Sequence, residues 1–148
     1  MTIFIASDHA GFELKNKLIE RFQNNLKDVG PFEFIMEDDY PDYVYVLIKN
    51  MRKDLKNNQG ILICKNGVGV CIAANKFKNI RAGFGINSEH VKSMISDDNI
   101  NILCLSAEFL KEEEIYKMVE IFQNEKFQPQ NRHLRRLNKL SIIENSEI

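Results

Sequence analysis

The chain alternates short apolar runs with longer stretches in which apolar residues recur every three or four positions. A compact apolar run bounded by polar residues reads as a buried strand, and the 3.6-residue recurrence as a helix lying on a sheet. Thr2–Ala6 is the first such strand. Gly11–Phe22 follows as a helix with Phe12, Leu14, Leu18, Ile19 and Phe22 on one side. Phe32–Ile35 is expected as the second strand. Asp39-Tyr40-Pro41-Asp42 has the makings of a helix start, with proline in the first turn, and the helix is expected over Tyr43–Leu55. Gly60–Cys64 is the clearest strand, and Lys65-Asn66-Gly67-Val68-Gly69 after it is a tight loop. A small-residue helix over Val70–Phe77, a strand over Ile80–Phe84, a helix over Ser88–Ile95 and a strand over Ile102–Leu105 come next. Lys111–Asn124 is a charged amphipathic helix, and a basic helix is expected over residues 131–143. Glu144–Ile148 are expected to fray.

This alternation predicts an α/β fold: a Rossmann-like, doubly wound, five-stranded and mostly parallel sheet with helices on both faces. No internal repeat or linker divides the chain, so residues 1–148 are expected to form a single domain. In such sheets ligands sit beyond the carboxyl ends of the strands. That selects Ser7-Asp8-His9, Cys64–Gly69, Gly83–Asn87 and Ser106–Glu108.

Composition narrows the function. With 20 Lys+Arg against 21 Asp+Glu there is no global basic field, which argues against nucleic acid as a partner. No apolar run approaches the roughly 18–20 residues of a membrane helix, and the first residues lack the features of an export signal. Three cysteines without zinc spacing suggest free thiols in a reducing, cytoplasmic compartment. No metal or cofactor is expected.

Three constellations could carry chemistry. Asp8 can accept hydroxyls and His9 can bind an oxyanion or move a proton; equally, Ser7 or Asp8 can cap the following helix. Cys64 precedes a loop in which Gly67 and Gly69 let successive N–H groups point inward, a cradle for an oxyanion at a helix start. A thiolate is favoured there, so Cys64 is a candidate proton-transfer base; the alternative is a small hydrophobe ending a buried strand. Arg132 and Arg136, one turn apart, put two guanidiniums on one helix face, which suits a phosphate; the alternative is a solvated basic helix. Gly67-Val68-Gly69 is a poor dinucleotide fingerprint, since its third glycine is absent and it follows the third strand. Cys71 and Cys104 read as core thiols, and His90 as lying on an exposed helix face.

Taken in order, these segments resemble the ribose-5-phosphate isomerase B and galactose-6-phosphate isomerase family of sugar-phosphate isomerases. The resemblance rests on Ser7-Asp8-His9-Ala10-Gly11-Phe12-Glu13-Leu14-Lys15, Tyr40-Pro41-Asp42, Gly60–Cys64 with Gly67-Val68-Gly69, Ile72–Lys76, Ile80-Arg81-Ala82, Asn101–Leu105, and Arg132-His133 with Arg136. It implies conversion of ribose 5-phosphate to ribulose 5-phosphate through an enediolate without a metal. Cys64 would be the base, Asp8 would bind sugar hydroxyls, and His9, Arg132 and Arg136 would face the phosphate. Tyr40 would line the pocket, and N–H groups around Asn66–Gly69, including those of Gly67 and Gly69, would stabilise the enediolate oxygen. A homodimer, or a dimer of dimers, is expected to complete the site.

Three departures fall on the ligand face. The family's Gly-Thr-Gly after the cysteine is Lys65-Asn66-Gly67 here, and an Asn66 amide cannot relay a proton as a hydroxyl does. The family's His-Asn-Asp before the fifth strand is Asp97-Asp98-Asn99, so ring opening would fall to Asp97, with Asp98 beside it. A family arginine after the fifth strand aligns with Glu108. The alternative is therefore a catalytically silent or substrate-shifted relative that binds a phosphorylated metabolite.

Overall fold

The computed structural model describes residues 1–146 and contains five strands in the order β2-β1-β3-β5-β4. They are β1 (Ile3–Ser7), β2 (Leu26–Asp28), β3 (Gln59–Cys64), β4 (Ala82–Phe84) and β5 (Ile102–Ser106). Every pairing is parallel: Ile5 stands opposite Ile61, Ile61 opposite Leu103, and Ala82 opposite Ile102. The helices are α1 (Phe12–Phe22), α2 (Tyr40–Met51), α3 (Val68–Ala74), α4 (Ser88–Asp98), α5 (Glu112–Asn124) and α6 (Asn131–Glu144).

The continuous apolar strands are explained by burial on both faces. Successive side chains alternate between faces, so Ile3, Ile5, Ile61, Ile63, Leu103 and Leu105 pack under α1, α4 and α5. Phe4, Ala6, Leu62, Cys64, Ile102 and Cys104 pack under α2 and α3. Gly60 lets α2 settle closely: a Cβ there would lie 2.6 Å from Leu47 Cδ2 and 2.9 Å from Met51 Sδ. Lys15 of α1, fully buried, reaches Asp28 at the end of β2 with Nζ 2.6 Å from its carboxylate. α6 lies beyond the β4 edge and packs on α4; its Glu144 accepts the Asn79 N–H at 2.7 Å.

Several sequence expectations need correction. The second strand is Leu26–Asp28, not Phe32–Ile35. An edge strand needs only one buried anchor, and Leu26 supplies it beside Lys27, which is exposed. Phe32 to Met36 instead form an exposed connection in which Phe34 meets the rings of His9 and Phe12 edge-on. The second helix begins at Tyr40, three residues earlier than expected, with Pro41 in its first turn. α3 starts at Val68 directly after the loop. At the carboxyl terminus, Asn145 and Ser146 do not fray but hydrogen-bond back to Ile142 and Ile143; residues 147 and 148 lie outside the described residues. Among the described residues no helix is long and apolar enough to cross a membrane.

Gly60→Val tests the close α2–β3 approach. It is expected to cost about 1–3 kcal/mol by overpacking, read as a lower urea midpoint with an unchanged slope.

Candidate active site

At the end of β1, Asp8 turns the chain. Its Oδ1 accepts the Gly11 N–H at 3.0 Å and closes a single 3-10 turn over His9–Gly11 that leads into α1. Asp8, not Ser7, is therefore the cap. The turn lies tight on β3, since a Cβ on Gly11 would stand 2.8 Å from Ile63 Cγ2. Burial pushes the Asp8 carboxyl above its usual range, with the Gly11 N–H and His9 pulling the other way. His9 is anchored twice to one oxygen of Asp38: its backbone N–H donates to Oδ1 at 2.9 Å and its ring Nδ1 lies 2.6 Å from the same atom. That hydrogen bond raises the His9 imidazole above its ordinary value.

At the end of β3 the buried Cys64 meets a turn that only glycine makes without strain. Gly67 has φ +76, and a Cβ on it would lie 2.5 Å from the Phe84 ring. The turn aims the Gly67 N–H at Cys64 Sγ, 3.2 Å away. Asn66 Oδ1 accepts the Val68 N–H at 3.0 Å and stands 3.9 Å from Cys64 Sγ, so the side chain caps α3. Gly67 and Val68 thus spend their N–H groups inside the loop. The first-turn N–H groups of Gly69 and Val70 have no carbonyl of their own helix to bond. Tyr40 covers Gly69 so closely that a Cβ there would lie 2.7 Å from Tyr40 Cζ.

The next loop is fastened to this one. Ala107 N–H donates to Cys64 O at 3.0 Å, Glu108 N–H to Lys65 O at 3.1 Å, and Ser106 Oγ to Lys65 O at 2.8 Å. Lys65 Nζ lies 3.3 Å from Glu108 Oε2. Two positions that depart from the family pattern therefore meet as an exposed ion pair on the rim.

The remaining candidates form a second group. His133, 1% exposed, bonds Gln128 O through Nδ1 at 2.9 Å and accepts from Arg132 Nε at 3.0 Å through Nε2. Its Nε2 stands 3.9 Å from Asp97 Oδ1. Arg136 follows one turn along α6 on the surface, and Asp98 lines a groove of about 530 Å³ between α6 and β4. This group sits at the last turn of α4. That helix leaves the carboxyl end of β4 and runs back across the sheet, so its last turn lies at the amino-terminal end of the strands. Within one chain, then, Asp97 does not join Cys64 and Asn66, and Asp98, Arg132 and Arg136 do not join Asp8, His9, Tyr40, Gly67 and Gly69.

Sequence reasoning missed two residues. Asp38 carries no motif of its own, and His133 stands in the sequence only as part of the arginine segment. Their buried side chains, each tied to a neighbouring segment, are visible only in three dimensions. His90 is half-buried at the start of α4 rather than exposed. Among the described residues no three His, Cys, Asp or Glu side chains converge as a metal site.

Cys71 is also not a core thiol. It is half-buried, with its thiol donating to Ala82 O at 3.4 Å. A hydrogen bond with the Cys104 thiol, opposed by burial and aided by Asn75, brings the Cys71 thiol down to about 7. Burial drives Cys104 well above its ordinary value. Alkylation by iodoacetamide, followed by mass spectrometry across pH, is expected to modify Cys71 with a midpoint of about 7. Cys104 is expected to react only after unfolding.

Comparison with known proteins identifies the family. A family model described as Ribose/Galactose Isomerase matches residues 3–140. A probable ribose-5-phosphate isomerase B of Mycoplasma genitalium is 40% identical over 141 residues, covering 93% of this chain and 92% of that one. Its counterpart in Mycoplasma pneumoniae is 41% identical over 145 residues, covering 96% and 94%. The crystal structure of ribose-5-phosphate isomerase B from Mycoplasma genitalium with bound ribulose-5-phosphate superposes with a TM-score of 0.92 at 39% identity, covering 99% of this chain and 97% of that one. That of the Clostridium thermocellum enzyme gives 0.90 at 30% identity, covering 97% of both chains. The chain, with its cysteine-bearing loop at the carboxyl end of the central strands, belongs to the ribose/galactose isomerase family.

Proposed function

We propose that this chain interconverts ribose 5-phosphate and ribulose 5-phosphate, in a site that a second copy of the chain completes. The observation that carries the reading is the buried Cys64 sulfur, which receives the Gly67 N–H beside the Asp8–His9 turn. The likeness to a Mycoplasma genitalium protein crystallised with bound ribulose-5-phosphate supports the choice of substrate.

The chemistry moves hydrogen within one molecule, so it has no net electron demand and needs no redox cofactor. The Cys64 thiolate takes the proton from C2 of the open-chain aldose and becomes a thiol. The electron pair left on carbon forms the C1–C2 double bond of the enediolate, and charge collects on oxygen. The N–H groups of Gly69 and Val70 are donors for that charge. The thiol then returns its proton to C1, while a proton passes from O2 to O1, giving the ketose. Asp8 accepts sugar hydroxyls, Tyr40 walls the pocket over Gly69, and His9 faces the phosphate. Asn66 holds the loop and takes no proton.

Arg132, Arg136, Asp97 and Asp98 enter from the second copy. Two observations favour this. The arginine group lies at the opposite end of the sheet from Cys64 within one chain. The rim and the α2–α3 face expose Phe109 at 69%, Val68 at 47%, Ile72 at 56% and Tyr45 at 57%, an apolar surface of the kind that marks an interface. In that arrangement ring opening falls to Asp97, and the arginines bind phosphate as forked donors. A homodimer or a dimer of dimers, working in the cytoplasm on a phosphorylated metabolite, follows from the same reading.

Purified protein is expected to form ketose from ribose 5-phosphate. Cys64→Ala is expected to lose at least about 10²-fold in kcat while keeping its circular dichroism spectrum. Full activity in the variant would remove Cys64 as the base, and no ketose from the folded wild type would point to a silent or substrate-shifted relative.

The shared site has its own test. Mixing Cys64→Ala with Arg132→Ala subunits, after mild dissociation and reassociation, is expected to recover about a quarter of wild-type activity. Half of the dimers would be mixed, and each would hold one intact site. No recovery from exchanged subunits would place both residues in one chain's site.

A further inference from the structure

We infer that Asp38 is a positioning residue: it locks the His9 ring through Nδ1 so that Nε2 is presented as a fixed donor to the anionic group of the ligand. The inference rests on the proposed function for what the ligand is, and on the geometry of this chain for the rest.

One carboxylate oxygen, Asp38 Oδ1, receives both the His9 backbone N–H at 2.9 Å and ring Nδ1 at 2.6 Å. Bonds to main chain and ring together fix the side-chain torsions of His9 as well as its tautomer. The Asp38 side chain is 5% exposed whereas that of His9 is 39% exposed, so the support is buried and the ring it holds reaches solvent. Phe34 meets the same ring edge-on with centroids 6.5 Å apart and limits its tilt. Nε2 is left with no hydrogen bond to the described residues. It is therefore the ring atom available to a ligand at the end of β1.

Asp38 is itself constrained. Its Oδ2 is buried and receives no hydrogen bond among the described residues. Tyr43 of α2 faces it, and burial together with the Asp38 carboxylate pushes the Tyr43 hydroxyl up to about 12. The charged and titratable groups around the pair are Asp8 from the β1 turn and Tyr43 from α2, with Asp42 acting on Tyr43. Asp8 and Asp38 both favour the imidazolium. A carboxylate partner thus does two things for His9: it orients the ring, and it keeps the ring cationic to higher pH than an isolated histidine. A phosphate bound through Nε2–H gains from both.

A raised native value means that the His9–Asp38 pair contributes stability fully below about pH 6.5. That contribution fades as pH rises through the native value. Substrate affinity that depends on imidazolium fades over the same range.

The experiment compares wild type, Asp38→Asn and Asp38→Glu by NMR titration of the His9 ring and by the pH profile of KM for ribose 5-phosphate. In Asp38→Asn the His9 titration is expected to fall back toward about 6.5. KM near pH 7.5 is expected to rise about tenfold, as for the loss of one hydrogen bond to a charged group, with kcat within about twofold. Asp38→Glu, which restores the charge, is expected to recover much of the KM. Any of three results overturns the inference: a His9 titration unchanged in Asp38→Asn, a KM profile unchanged although the titration moved, or a kcat collapse at constant KM. If the wild type makes no ketose, the isomerase reading fails separately. The His9 titration, and its upward shift on adding inorganic phosphate, then decide the role of Asp38: a shift in wild type that is lost in Asp38→Asn supports it, and a shift equal in both overturns it.

Discussion

A parallel sheet brings the carboxyl ends of its strands to one edge, and the chain must turn away from that edge without leaving backbone groups unbonded. The turn after β3 is among the tightest of these, since α3 starts four residues after Cys64, as α4 does after Phe84. Gly67 makes it possible through a left-handed backbone and through the absence of a Cβ against Phe84. The same turn sends one N–H to the Cys64 sulfur and leaves Asn66 to cap α3. Packing and chemistry are therefore one constraint. A side chain at position 67 would press on the Phe84 ring, shift β4 against β5, and move the donor away from the thiol.

Much of this was legible in the sequence because the central strands are buried on both faces. Gly60–Cys64 and Ile102–Leu105 could hardly be anything but inner strands, and the loop glycines after Cys64 marked the ligand edge. What failed had physical reasons. Leu26–Asp28 has one buried residue and pairs on one side only, so its pattern is too thin to see beside the more apolar Phe32–Ile35. That apolar run serves instead as a cover over the β1 turn, through Phe34. Asp38 belongs to an acidic run, Glu37-Asp38-Asp39, that reads as solvated surface. Only the fold shows that the middle carboxylate turns inward to His9. Where the candidate residues lie was not legible, since nothing in their order says that Arg132 and Cys64 lie at opposite ends of the sheet.

The departures from the family pattern look less disruptive once they are seen together. Taken singly, Lys65 crowds a loop that is glycine-rich in relatives, and Glu108 sets a negative charge where a phosphate ligand would be expected. In the fold they are opposite partners, with Lys65 Nζ 3.3 Å from Glu108 Oε2 over loops already joined by backbone hydrogen bonds. An exposed pair of this kind adds little stability, of the order of 0–1 kcal/mol. Its consequence is local: the carboxylate is screened by a cation at the rim, and the rim charge is close to neutral. In the proposed arrangement phosphate recognition then falls to His9 within the chain and to the α6 arginines of the second copy.

That division bears on why the arginine group is built as it is. Arg132 does not stand alone on a mobile surface helix. Its Nε donates to His133, which is buried and fixed in turn by the Gln128 carbonyl. Using Nε for support leaves the terminal guanidinium nitrogens as a two-pronged donor. The His9 ring is held on the same plan, with one nitrogen given to a buried carboxylate and the other left outward. In both cases a buried anchor consumes one donor so that the remaining donors point in a defined direction. A phosphate gripped between two such groups loses less freedom on binding than one met by loose side chains, and the cost of that order is met during folding rather than at each encounter.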